Sequence, residues 1–180
     1  VLVFVLFIIP CNLGQKENFF SYGSSQIFST DTQIGRDTKI IEDTFGKSNN
    51  LVLMVPKGDL EKETELSKKL HDMPEVTSIL SYVDNAGAEV PMDYVDNETL
   101  SKLISDNYSR LVLTVDADFE GEKTFNLIEE IRSLAKSYYG DKYLLAGESA
   151  STYDLMDTIT KDNDRVNLIA IGAVFVVLLL

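Results

Sequence analysis

The sequence predicts an α+β domain, a strand–helix–strand unit occurring twice, flanked by the truncated ends of two transmembrane helices. Three observations predict it. Short apolar runs alternate with helically spaced stripes in the order β-α-β, then β-α-β. The middle of the chain is polar and acidic, long enough for one domain of ordinary size. Both ends are apolar: 1–9 reads VLVFVLFII, and 166–180 is broken only by Asn167. At ~1.5 Å per residue the closing run reaches ~22 Å, short of a hydrocarbon core of ~30 Å. The chain is therefore expected to be one extramembrane loop of a longer polytopic protein. Residues 1–10 end one membrane helix, 11–50 are a lead-in segment and helix, 51–147 are the domain, 148–165 a stalk helix, and 166–180 begin the next membrane helix.

A secretory signal ending in a lipidated Cys11 explains the first run less well. No basic leader precedes it, and Ile8, Ile9 and Pro10 occupy positions where small residues belong. It also leaves the second run unexplained. That run ends in FVVLLL, apolar on every side, which suits lipid better than a single packing face.

Within the lead-in segment, Phe19, Phe20, Tyr22 and Phe28 are placed against the domain or at the membrane interface. Ile34, Thr38, Ile41 and Phe45 follow at three-and-four spacing, predicting a helix over 31–45 with Asp31 as cap and Gly46 as stop. LVLMV at 51–55, bounded by Asn-Asn and Pro56-Lys57-Gly58, reads as a buried strand. Residues 59–73 form a charged helix whose Leu60, Leu66, Leu70 and Met73 face inward, and Pro74 ends it. VTSILSYV at 76–83 is the second strand, with a turn at Asp84-Asn85. A short helix from about Asn97 presents Leu100, Leu103 and Ile104.

SRLVLTV at 109–115 is the third strand. The clearest helix runs over 122–139, with Phe125, Ile128, Ile131 (or Arg132), Ala135 and Tyr138 in register and Gly140 as stop. KYLLA at 142–146 is the fourth strand. A last helix, capped by Ser149 or Ser151, continues through Arg165 into the apolar run. This order is that of the split βαβ, or ferredoxin-like, sandwich.

The charge narrows the function. With 29 acidic residues against 16 basic, the formal charge is −13, the wrong sign for nucleic acid or for close adhesion to anionic headgroups. A single cysteine forms no internal disulfide. His71 is the only histidine, so no triad or multi-histidine metal site can be built on it. Phosphate-binding glycine loops and nucleophile elbows are absent from the sequence. Asp116, Asp118 and Glu120 with Gly121 match the first half of a calcium loop, yet Leu127 stands where a bidentate Glu belongs. We read them as strand-end acids at the positive end of the next helix, with no metal or cofactor. Asp154, Asp157 and Asp162 lie on the last helix, where coupling to the membrane is expected.

Two stretches resemble one family. Residues 30–56, TDTQIGRDTKIIEDTFGKSNNLVLMVP, resemble the start of an extracytoplasmic loop in MMPL-type transporters of the resistance–nodulation–division superfamily. There a helix ends in a Phe-Gly pair, here Phe45-Gly46, followed by a polar linker and an apolar strand. Residues 143–180 resemble the exit of that loop, most specifically from Gly147 to Asp154. The resemblance implies a ferredoxin-like porter subdomain on the extracytoplasmic side of a multi-pass membrane protein that exports lipids or other hydrophobic molecules, driven by protons. It also implies that the relay residues lie in membrane helices outside this stretch. Its partners would be the hydrophobic cargo and the remaining membrane and porter segments, and it would not be an enzyme. Phe19, Phe20, Tyr82 and Tyr94 are expected to line the path. The alternatives are an extracellular sensor or scaffold loop, or a relative of the protein-export factors SecD and SecF, which share the wider group.

Overall fold

A computed structural model describes residues 31–46 and 49–179. The elements run α1 (Gln33–Phe45), β1 (Asn49–Pro56), α2 (Leu60–His71), β2 (Val76–Leu80), α3 (Tyr82–Asn85), a 3-10 turn (Met92–Tyr94), α4 (Asn97–Leu103), β3 (Tyr108–Val115), α5 (Glu122–Tyr139), β4 (Leu144–Gly147) and α6 (Glu148–Leu179). The four strands form one antiparallel sheet in the order β2-β3-β1-β4. This is the expected split βαβ sandwich. The two strands that open the repeats lie side by side at its centre, with Leu53 opposite Leu111.

Alternation makes the sheet one-sided. Leu51, Leu53 and Val55 of β1 and Leu111, Leu113 and Val115 of β3 are all fully buried, while their neighbours are half-buried or open. Leu66 and Leu70 of α2 and Leu127, Ile128, Ile131 and Ala135 of α5 cover that face. Each large aliphatic side chain buried there contributes about 1.5–3 kcal/mol. A smaller core of Tyr82, Val83, Leu103 and Ile104 fastens the insertion between the halves.

Several boundaries differ from expectation. Thr32, not Asp31, caps α1, accepting from the Gly35 N–H at 3.1 Å. β2 stops at Leu80 because Ser81 caps α3: its hydroxyl accepts from the Asp84 N–H and donates to the Asp84 carboxylate at 2.5 Å. Thr77 is an extra residue in β2, and this bulge lets Val76 and Ile79 both face the core. The last helix starts at Glu148, directly after β4, so Ser149 and Ser151 lie inside it rather than capping it. Among the described residues no helix is long and apolar enough to cross a membrane by itself.

Candidate functional site: the root of the long helix

α6 is the longest element, 32 residues, or ~48 Å at ~1.5 Å per residue. It passes without Pro or Gly from Glu148 to Gly172, where it continues unbroken. How its first turns are fixed decides what it can transmit.

Three sets of contacts fix them. The first is a close approach of backbone. Gly147 (φ +151°) pairs with Leu51, and a Cβ there would come within 2.8 Å of both the Asn50 carbonyl oxygen and Leu51 Cδ2. Only glycine lets the chain turn from β4 into α6 at this distance. The second is a buried polar node. Asn49, fully buried at the start of β1, donates through Nδ2 to Ser149 Oγ at 2.7 Å and to the Asp118 carbonyl at 3.1 Å. Thr124 of α5 donates to the same carbonyl at 2.7 Å. One amide thereby ties β1, the β3–α5 loop and α6 together.

The third is a clamp between helices. Arg132 of α5 donates to both oxygens of Asp154 of α6, at 2.6 and 2.9 Å, in the fork geometry that guanidinium and carboxylate share. That hydrogen bond holds the arginine even more firmly in its charged form. The guanidinium also lies 5.4 Å from the centre of the Tyr153 ring, which meets Phe125 edge-on at 5.5 Å. The Tyr153 hydroxyl donates to Glu129, and this bond, with some burial, pushes its pKa up to about 12. The phenol therefore stays a donor across the whole physiological range.

The expected site residues fall in different places. Of the acids expected on the coupling helix, Asp154 reaches another element. Asp157 pairs with Lys161 at 2.7 Å and Asp162 with Arg165 at 3.6 Å, both within α6. Asp118 serves the node through its main chain, Glu120 is buried, and Leu127 belongs to the core. Among the described residues no three His, Cys, Asp or Glu side chains group to hold a metal. Tyr82 is 1 % exposed with its hydroxyl bonded to the Val90 carbonyl, whereas Tyr94 is 83 % exposed. One is sealed and the other stands in the open. Phe19 and Phe20 lie outside the described residues.

Sequence reasoning missed the node and the clamp. Asn49 looked like part of a polar linker, and Arg132 like an alternative to Ile131 on the helix stripe. It also missed Glu63, 1 % exposed on the inner face of α2, where burial raises its carboxyl pKa and the Asp84 charge adds to the rise. The Ser109 hydroxyl beside it offsets part of that rise, though one Glu63 oxygen still has no hydrogen-bond partner.

Compared with known proteins, the chain matches the model of one family, MMPL, over residues 26–180. No curated protein is similar enough to count as a match. The match spans α1, the whole sandwich and α6, so the ferredoxin-like domain and its long helix are a transporter-related part of a membrane protein: the chain belongs to the MMPL family.

Proposed function

We propose that the chain is the extracytoplasmic porter domain of a membrane exporter, guiding lipids or other hydrophobic molecules without transforming them. The proton-driven step belongs to membrane segments beyond this stretch. The observation that carries the reading is α6. One continuous helix joins the sheet to an apolar end, and its root is fastened to β1, α5 and the β3–α5 loop. A helix so held moves the domain as a rigid lever when its apolar end shifts or tilts, whereas a flexible linker would dissipate the motion. The domain's work is to open and close a path for cargo, in contact with the remaining porter and membrane segments.

The test is to insert Gly-Gly-Ser beside Asp162 in the intact protein and follow export of a labelled lipid from reconstituted vesicles. Export is expected to be lost while folding and membrane insertion persist. Export that survives in the folded, inserted variant refutes the lever. An intact protein that moves no hydrophobic cargo in the same vesicles would favour a sensor or scaffold instead.

A further inference from the structure

β1 begins at Asn49, and β4 ends at Gly147, opposite Leu51, where α6 leaves the sheet, so the root of α6 sits at this end. The other end is marked by Pro56, opposite Tyr108, and by Leu144, opposite Met54. There the β1–α2 turn and the α5–β4 turn surround an open cavity of about 460 Å³, lined by Pro56, Lys57, Asp59, Lys62, Tyr139 and Lys142 among others.

Its charge runs against that of the molecule. In a chain of formal charge −13, three lysines converge on one cavity with a single carboxylate among them. That carboxylate is already committed. Asp59 caps α2 by accepting from the Lys62 N–H at 3.0 Å, and it pairs with the Lys62 ammonium at 3.4 Å. These contacts, the backbone hydrogen bond first, hold its pKa below the usual carboxylate value. Lys57 and Lys142 pair with no carboxylate among the described residues. Lys62 also lies 5.6 Å from the centre of the Tyr139 ring, so its position is set by an aromatic wall.

The Tyr139 ring forms part of the wall, while its hydroxyl is buried, without a hydrogen-bond partner, and close enough to feel the charge of Glu63. Burial above all, then the nearby charge of Glu63, raises its pKa, so it remains a donor at any ordinary pH. The charged groups that open onto the cavity are mostly ammonium donors. Together they suit a compact anion rich in acceptor oxygens, for which lysine serves as a point-charge partner. The volume lies within the range of small-molecule sites and holds a head-sized group rather than an acyl chain.

We infer that the Lys57–Lys62–Lys142 cavity, at the end of the sheet away from the root of α6, binds a phosphate-bearing group. The inference is independent of the transport reading: a phosphate site there serves equally as a headgroup rest for an amphiphilic cargo or as a sensor for a soluble phosphate.

The test is amide NMR of the full chain in a nonionic detergent, titrated with inorganic phosphate at fixed ionic strength. Saturable shifts confined to residues 56–62 and 138–142 are expected, with chloride at the same ionic strength giving none. The double variant Lys57→Gln/Lys142→Gln, at two exposed positions, should fold as the parent does and bind about tenfold or more weakly. Tyr139→Phe, which keeps the ring that forms the wall, should leave the binding unchanged. Two further titrants separate the sources. Dihexanoyl phosphatidylglycerol binding more tightly than glycerol phosphate assigns the site to a lipid headgroup, and equal binding assigns it to a free phosphate. Shifts that do not saturate, that chloride reproduces, or that persist unchanged in the double variant overturn the inference.

Discussion

At the scale of the residue, two positions bear on stability in opposite senses. Gly147→Ala places a methyl group 2.8 Å from a backbone oxygen in a conformation that side chains rarely adopt. A loss of about 2–4 kcal/mol is expected, read as a lower urea midpoint. Glu63 acts in the opposite sense. Its folded pKa lies above the unfolded value near 4.5, because burial disfavours the charge. Below pH 4.5 both states are protonated and burial costs no charge. As pH rises, the unfolded chain ionises first, and stability falls until the folded carboxyl has titrated too. Glu63→Gln is therefore expected to be more stable than the parent at pH 7, with that gain shrinking on titration toward pH 4. Denaturant midpoints at the two pH values check it. Equal midpoints at pH 7 would mean that the buried carboxylate is satisfied by a partner such as a trapped water.

At the scale of the element, the bond between α5 and α6 rests on Arg132 and Asp154. Asp154 is largely exposed, so the pair should couple by only about 0.2–1 kcal/mol in a double-mutant cycle, as exposed ion pairs do. Its effect on local opening should be clearer. Arg132→Ala is expected to speed hydrogen exchange in the first turns of α6 while leaving exchange in β1 and β3 unchanged. Ser149 and Asn49 give a sharper case. Asn49→Ala takes the donor from the Ser149 hydroxyl at the base of α6, while the Asp118 carbonyl keeps its bond from Thr124. A cost of about 1–3 kcal/mol by chemical denaturation is expected, since a buried hydroxyl loses its partner.

At the scale of the whole molecule, the apolar surface is unevenly covered. The core under the sheet is closed, yet Ile34, Ile41 and Phe45 form a stripe along α1 that stands exposed, Phe45 at 84 %. Leu155 and Ile159 add a second exposed pair on α6, before its apolar end. Apolar surface of this extent belongs against a partner or a membrane. The chain alone is thus expected to self-associate in a concentration-dependent way, measurable by sedimentation. Ile41→Lys with Phe45→Lys should reduce that association without moving the unfolding midpoint, because neither side chain contributes to the core.

The sequence by itself determined the sandwich. Period-two alternation in 51–55 and 109–115 and three-and-four spacing in 122–139 each specify one buried face. Which strands lie side by side was decided by the packed sheet, where β1 and β3 meet at the centre and those faces share one core. Glycine and proline also marked most element ends, because backbone conformation is a local property. Where polar residues go was decided by the tertiary structure. Asn49 in a polar linker, Glu63 on a charged helix, and lysines at 57, 62 and 142 look like solvated positions when only neighbours in sequence are considered. Burial and convergence depend on chain segments up to 100 residues apart, as between Asn49 and Ser149. A polar side chain carries no periodic signal of its own. Its partner is chosen only when the packed sheet and helices bring distant segments together.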